Sequence, residues 1–206
     1  MLIDPIEKEL KKLQEENSRL KILSEVDGLT GLYNRLAGER LINDRLHKNA
    51  GGNFMVVDVD GFKKINDQYG HLFGDDVLRG LAALMKEIFG GENLVGRFGG
   101  DEFVIFTVKE WDAGKAIEKG KELIRRMEAM GRKMGVKDRF SATIGLSAYQ
   151  DKDTYSSMFS RADFALMQGK KSGKSAVYYY RELHNESRPV AAAESKGAED
   201  TGIDRD

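Results

Sequence analysis

Between residues 25 and 182, segments with helical spacing of apolar residues alternate with short runs that favour strands. The helical spacing, clearest in the apolar stripe that begins at Val77, predicts helices at about 35–48, 76–89, 112–134 and 156–171. Apolar runs rich in β-branched residues predict strands at about 53–60, 94–98, 103–106, 140–148 and 176–180. This β-α-β-β-α-β order predicts an α+β fold with a ferredoxin-like core, in which helices cover one face of an antiparallel sheet.

The two ends of the chain follow other patterns. Residues 1–24 are highly charged and repeat at coiled-coil spacing through Ile3, Ile6, Leu10, Leu13, Asn17 and Leu20. A polar residue such as Asn17 at a core position fixes the register of a coiled coil, so we expect a short stalk that self-associates. The alternative is one amphipathic helix packed on its own domain. Residues 183–206 lack periodicity and predict a disordered tail, which leaves 25–182 as the folded domain.

Two carboxylates end the first predicted strand. Asp58 and Asp60 follow a run of apolar residues, and the two-residue period of a strand puts both on the same face. An aspartate at a strand end often caps the next turn, which explains one of them well and two of them poorly. The pair therefore raises the hypothesis of a binding site at this end of the strand.

A second acidic pair follows two glycines. Gly99 and Gly100 lie between two strand-like runs and predict a tight hairpin, in which glycine tolerates positive φ, with Asp101 and Glu102 at its tip. In the predicted topology the first strand and this hairpin are neighbours, so Asp58 and Asp101 converge. Carboxylates from two such segments suit Mg²⁺, which proteins commonly hold with one or two carboxylates and substrate phosphates.

Composition narrows the class of protein only moderately. The chain has 206 residues, with 33 Lys and Arg against 34 Asp and Glu, so its formal charge of -1 does not favour binding to nucleic acid polymers. The absence of Cys excludes disulfides, thiolate zinc sites and a cysteine nucleophile. No apolar stretch reaches membrane-spanning length, and no secretory signal opens the sequence, so we expect a cytoplasmic location.

Several separated motifs together resemble the GGDEF family of diguanylate cyclases, which condense two GTP into cyclic di-GMP. The resemblance covers about residues 25–180. It is carried by residues 27–35, 58–67, 70–71, 74–75, 99–103, 141–145 and 162–173. The run from Gly99 to Phe103 reads Gly-Gly-Asp-Glu-Phe without a substitution.

The resemblance implies an acidic catalytic centre. Asp58, Asp101 and the main-chain carbonyl of Val59 would bind Mg²⁺, with Mn²⁺ as an alternative ion. Gly99, Gly100, Asp101 and Glu102 form the catalytic hairpin. Glu102 would complete the acidic site and assist deprotonation of the attacking 3′-hydroxyl, a contribution of about 10²–10⁴-fold for a carboxylate base.

The resemblance also implies a nucleotide-binding set around that centre. Its members are Phe62 and Lys63 at a helix start, Asn66 and Asp75 as readers of guanine, and Lys170 and Lys174 at the terminal phosphates. A carboxylate accepts from N1–H and the exocyclic amine of guanine, which fits Asp75. Locally, Asp75 fits equally well as the N-cap of the helix whose stripe begins at Val77.

Some positions depart from the family pattern. Lys174 replaces a common Arg, and Met167, Gly169 and Ser175 stand where Tyr, Ala and Asn are usual. We expect Gly169 to loosen the helix end by about 1 kcal/mol relative to Ala. Gly90 and Asn93 stand where many members carry the Arg and Asp of an inhibitory product site, so we expect that site to be missing.

The function that these residues imply is GTP-dependent synthesis of cyclic di-GMP by a homodimer. Each subunit would hold one GTP, and each 3′-hydroxyl would attack the α-phosphate of the other nucleotide. If the chain is a fragment, an upstream sensory or receiver module is the expected partner. The alternatives are a catalytically silent GTP-binding signalling module and an enzyme that also uses ATP, and Asp75 argues against the second.

Overall fold

The computed structural model describes residues 5–48, 51–181 and 186–189, which form six helices and six strands. The helices are α1 Pro5–Glu25, α2 Arg35–His47, α3 Phe62–Tyr69, α4 His71–Phe89, α5 Ala113–Lys133 and α6 Tyr155–Lys171. The strands are β1 Asn53–Val59, β2 Leu94–Gly99, β3 Glu102–Phe106, β4 Ala142–Ala148, β5 Val177–Arg181 and β6 Glu186–Pro189.

The strands form one sheet in the order β2-β3-β1-β4-β5-β6. All neighbours are antiparallel except β4 and β5, which are parallel and joined through α6. The predicted ferredoxin-like α+β core is therefore confirmed, with β1 at its centre and the β2–β3 hairpin beside it. In this register Asp58 on β1 lies directly opposite Glu102 on β3.

Helices cover both faces of the sheet, whereas the sequence predicted helices on one face. Met55 and Val57 of β1 pack with α4 and α5, while Phe54 and Val56 pack with α2 and α6. Successive residues of a strand point to opposite faces, so an unbroken apolar run requires cover on both sides. The helices of the βαββαβ core lie on one face, and the flanking helices α2 and α6 cover the other.

Two boundaries near β1 differ from the prediction. A separate helix, α3, begins immediately after the left-handed Gly61. Helix α4 then begins at His71, after Gly70 with φ of +87°, five residues before the predicted start. The helix start is therefore set by the glycine, and Asp75 lies inside α4. The interpretation of Asp75 as an N-cap is wrong.

The predictions for the two ends of the chain can be compared with the structure only in part, because some of these residues lie outside the described ranges. Helix α1 extends along the predicted stalk, and its Leu10 and Leu13 are 55% and 58% exposed. Ile3 lies outside the described residues. Within the predicted tail, Glu186–Pro189 form β6 against β5, and residues 190–206 lie outside the described residues. In the described part of the chain, none of the helices combines the length and apolar character needed to cross a membrane.

Candidate active site

The two acidic segments meet at the end of β1. Asp58 is opposite Glu102 in the β1–β3 ladder, and the Val59 N–H donates to the Asp101 carbonyl at 3.3 Å. This contact brings the hairpin tip against the last residue of β1. The structure thus places Asp58, Asp101 and Glu102 together, as the topology predicted.

A lysine from α6 completes this cluster. The Lys170 ammonium lies 2.6 Å from Asp58 Oδ2, and the Asp58 side chain is 19% exposed. Burial raises the pKa of Asp58 and outweighs the opposing effect of Lys170, with smaller contributions from Asp101 and Asp60. Burial also raises the pKa of Glu102, aided by the negative charges of Asp163 and Asp58. Partly buried carboxylates that lie close together repel each other when ionised, so a cation bound between them is stabilising.

The backbone of the two hairpin glycines differs from the prediction. Positive φ occurs at Gly61 and Gly70 but not at Gly99 or Gly100, so the turn does not need glycine for its backbone conformation. A Cβ added to either residue would meet no heavy atom within 4 Å in the described part of the chain. The missing side chains therefore leave open space beside Asp101.

The hairpin tip is held from behind by an ion pair that the sequence analysis missed. Arg97 donates to the Gly100 carbonyl at 2.7 and 3.0 Å and to the Asp27 carboxylate at 3.1 and 3.3 Å. Partial burial opposes ionisation of Asp27, but hydrogen bonds from Thr30 and Arg97 lower its pKa. Asp27 lies in the first motif of the resemblance, and that motif was the only sequence signal for its role.

Asp60 lies at the same strand end as Asp58, but it contacts a different set of residues. Its carboxylate accepts hydrogen bonds from the Thr143 hydroxyl at 2.8 Å and from the Ser175 N–H at 3.1 Å. The prediction that Asp58 and Asp60 share a face did not distinguish their roles. Asp58 lies in the acidic cluster, whereas Asp60 is bonded to the loop between α6 and β5.

Asn66 of α3 packs closely against Gly74 of α4. Among the described residues, Asn66 Oδ1 is buried without a hydrogen-bond partner, which is rare because an unpaired buried oxygen is costly. A Cβ on Gly74 would lie 1.9 Å from that oxygen, so only glycine leaves room for it. Asp75 follows Gly74 and is half-buried. The Asn66 oxygen therefore faces Gly74, and Asp75 is the partly exposed residue beside this contact.

Comparison with known proteins decides the family. The sequence profile described as "Diguanylate cyclase, GGDEF domain" matches residues 24–176. This chain belongs to the GGDEF family. The resemblance seen in the sequence is therefore confirmed.

Individual relatives agree with that assignment. The chain is 33% identical over 172 residues to diguanylate cyclase DgcP of Pseudomonas aeruginosa, covering 77% of this chain and 24% of DgcP. It is 28% identical over 177 residues to diguanylate cyclase VdcA of Vibrio cholerae, covering 82% of this chain and 51% of VdcA. The chain thus spans about half the length of VdcA and about a quarter of the length of DgcP.

A solved structure supports the fold. The coiled coil and GGDEF domain of DgcB from Caulobacter crescentus, in complex with c-di-GMP, superposes with a TM-score of 0.74 at 24% identity. The match covers 84% of this chain and 94% of that one.

The other residues that the resemblance implies lie on α3, at the end of α6 and in the loop after α6. Phe62 and Lys63 form the first turn of α3, where helical N–H groups have no acceptor within the helix. Lys170 contacts Asp58, as described above. Lys174 is exposed in the loop between α6 and β5. Val59 lies at the end of β1, and the role predicted for its carbonyl stays a prediction.

Gly169 does not loosen α6, contrary to the expectation. It is buried, and a Cβ at this position would lie 2.3 Å from the Tyr178 ring and 2.8 Å from Thr143 Cγ2. Tyr178 itself is 2% exposed. The glycine is therefore required by the large side chain of the adjacent strand, and Ala would clash.

The positions of the usual inhibitory site have structural contacts. Gly90 caps the C-terminus of α4, and Asn93 Oδ1 accepts from the Val108 N–H at 2.9 Å. Asn93 therefore joins two loops and brings no charge to this surface.

The acidic cluster fits a metal ion that is shared with a substrate. In residues 5–48, 51–181 and 186–189, no three acidic or histidine side chains are gathered tightly enough to hold an ion by themselves. Mg²⁺ does not need such a cage, because it is usually bound by one or two carboxylates with water and phosphate oxygens. The Lys170 ammonium beside Asp58 indicates that this position already favours positive charge.

Proposed function

We propose that this GGDEF domain condenses two GTP into cyclic di-GMP with release of two pyrophosphates. The observation that carries the proposal is the meeting of Asp58, Asp101 and Glu102 at the β1–β3 register, beside the open space at Gly99 and Gly100. Carboxylates around an accessible space are what a phosphoryl-transfer site needs to hold a hard cation and a nucleotide.

Asp58, Asp101 and the Val59 carbonyl would hold the metal ion. When bound, Mg²⁺ supplies positive charge to the α-phosphate as pyrophosphate departs. Glu102 is suited to accept the proton of the 3′-hydroxyl, because burial and its acidic neighbours raise its pKa and make it a stronger base. The glycine hairpin leaves room for the nucleotide to reach these groups.

The guanine would bind beside Asn66 and Asp75. The Asp75 carboxylate is a charged acceptor for guanine N–H groups, and the Asn66 amide can both donate and accept. Adenine lacks N1–H and a 2-amino group, so it would leave these acceptors unpaired. The first turn of α3 at Phe62 and Lys63, with Lys170 and Lys174, would contact the triphosphate.

One subunit supplies only one nucleotide, so the reaction requires a homodimer in which two half-sites face each other. The exposed Leu10 and Leu13 of α1 support a stalk that pairs two copies through the predicted seam. If the chain is a fragment, an upstream sensory or receiver module would control how closely the half-sites approach.

The competing proposal is a silent GTP-binding module. The two are separated by Glu102→Gln, which removes the base while keeping the size of the side chain. An active cyclase loses about 10²–10⁴-fold in rate and still binds GTP. If the wild-type protein binds GTP and yields no cyclic product, the silent module is correct and the cyclase is not.

A further inference from the structure

The loop that carries Lys174 has an unusual backbone. Gly173, Lys174 and Ser175 have φ of +119°, +62° and +51° between α6 and β5. Glycine adopts such values freely, but Lys and Ser rarely do so, because their Cβ crowds the backbone. Two consecutive left-handed residues with side chains persist only where the surroundings hold them.

The group that holds them is Asp60. Its Oδ2 accepts from the Ser175 N–H at 3.1 Å, and its Oδ1 accepts from the Thr143 hydroxyl at 2.8 Å. Thr143 is completely buried on β4, so it anchors the carboxylate to the centre of the sheet. The Ser175 hydroxyl bonds to Ser141, and the Lys174 N–H donates to the Gly169 carbonyl at 3.0 Å.

This arrangement suits a carboxylate. Thr143 donates its hydroxyl proton to Asp60 while its oxygen accepts from the Ser175 N–H at 3.3 Å, and that N–H also donates to Asp60, so both carboxylate oxygens accept. An amide in its place keeps one acceptor, and its NH₂ group would force the Thr143 hydroxyl proton to turn away, so one charge-assisted bond is lost. Both oxygens of Asp60 are therefore bonded to fixed groups of the fold, whereas the ion pair given for Asp58 joins one of its oxygens to the Lys170 ammonium.

We infer that Asp60 is a positioning residue, which holds residues 173–175 in the left-handed conformation that presents Lys174 to the triphosphate of the bound nucleotide. The inference rests on the proposed function, because it takes Lys174 as a triphosphate contact. Asp60 acts through Lys174 and need not touch the nucleotide. Substitution of Asp60 should therefore weaken nucleotide binding, and it should have no such effect in a protein that lacks the Lys174 side chain.

A double-mutant cycle tests this on the full chain. The four proteins are wild type, Asp60→Asn, Lys174→Ala and the double variant. The measurement is the Kd for a non-hydrolysable GTP analogue with Mg²⁺, obtained by calorimetry. We expect each single variant to bind about tenfold more weakly, and the double variant to bind no more weakly than Lys174→Ala. An equal loss from Asp60→Asn in both backgrounds, or no loss in either, would overturn the inference.

Thr143→Val provides a second route that leaves the charge of the site unchanged. It removes the anchoring hydroxyl and keeps the branched shape of the side chain. We expect weaker binding of the analogue in the wild-type background and no further loss in Lys174→Ala. A loss of equal size in both backgrounds would show a general structural effect and overturn the inference. Product analysis of the wild type is separate: a protein that binds GTP without forming cyclic di-GMP contradicts the proposed function and leaves this cycle valid.

Discussion

Two ion pairs lie at opposite ends of α6 and differ in their surroundings. At the N-terminal end, Arg161 contacts both oxygens of Asp153, one of them at 2.8 Å, and donates to the Ala148 carbonyl. At the C-terminal end, Lys170 contacts one oxygen of Asp58 through a single ammonium. The first pair is a fixed, two-point contact, and the second is a point contact on a flexible side chain.

The pKa values of the two aspartates move in opposite directions. Burial opposes ionisation of Asp153, but hydrogen bonds from Arg161, Ser157 and the Gln150 N–H outweigh it and lower the pKa. Asp58 is also buried, and its single lysine does not outweigh burial, so its pKa is raised. A carboxylate such as Asp153, with hydrogen bonds to both oxygens, therefore stabilises the fold. A carboxylate such as Asp58, with one ion-pair partner, can still bind a ligand.

The largest expected effect is that of Asp58→Asn on catalysis. The substitution removes the charge that holds the cation, so we expect turnover to fall by roughly 10³-fold. Because the raised pKa means that the ionised form destabilises the fold at neutral pH, Tm should equal or exceed that of wild type. Initial rates and thermal melts at pH 7 check both halves, and normal turnover would remove Asp58 from the metal site.

Asp153→Asn should lower the stability of the fold and leave turnover unchanged, the opposite of Asp58→Asn. Breaking a buried pair leaves the Arg161 charge uncompensated, which we expect to cost about 3 kcal/mol and to lower Tm by roughly 6–12 °C. Turnover per folded molecule should stay near wild type, because Asp153 bonds to Arg161, Ser157 and the Gln150 N–H, none of which belongs to the acidic cluster. Asp151→Asn is the matched control on an exposed neighbour. A stable Asp153→Asn variant with impaired turnover would reverse the comparison.

Lys170→Met tests whether a metal ion can replace the Lys170 ammonium at Asp58. In the nucleotide-free protein it removes the ammonium that competes for Asp58, so Mn²⁺ alone should bind several-fold more tightly. The affinity for a GTP analogue should fall about tenfold, because a charged contact to phosphate is lost. Lys171→Met, which removes the adjacent exposed lysine, should change neither value. Weaker Mn²⁺ binding in Lys170→Met would show that the lysine supports the metal site in another way.

The smallest effect concerns pH. The lowered pKa of Asp153 gives stability that is present above its ordinary value of 3.8 and is lost as pH falls through the folded pKa. The raised pKa of Asp58 gives stability at low pH that is lost as pH rises through the folded pKa. As pH rises from about 3 to 7, the Tm of the wild type should increase relative to the Tm of Asp153→Asn. Over the same range it should decrease relative to the Tm of Asp58→Asn. Parallel curves for the three proteins would contradict both assignments.

Much of the core was predictable because strong local patterns coincide there. The unbroken apolar run rich in β-branched residues placed β1, and the apolar stripe placed α4, although the start of α4 depended on the backbone of Gly70. The neighbouring positions of β1 and the hairpin followed from the order of elements alone. The convergence of Asp58 and Asp101 was therefore a consequence of topology.

The features that were missed depend on contacts between distant parts of the chain. Gly169 appeared as a weak point of a helix until Tyr178 was seen to fill the space of its Cβ. Asp60 and Asp58 have the same local pattern, and only the loop at Ser175 distinguishes them. The turn rule applied to Gly99 and Gly100 was wrong, because neither residue has a positive φ.

The most direct test of the central claim is analysis of the products formed from GTP and Mg²⁺ by the purified chain. The account predicts cyclic di-GMP with two pyrophosphates per molecule, at a specific activity that rises with protein concentration because two subunits must meet. Asp58→Asn under the same conditions should give neither product. Bound but unreacted GTP, or a product that forms equally well with Asp58→Asn, would contradict the account.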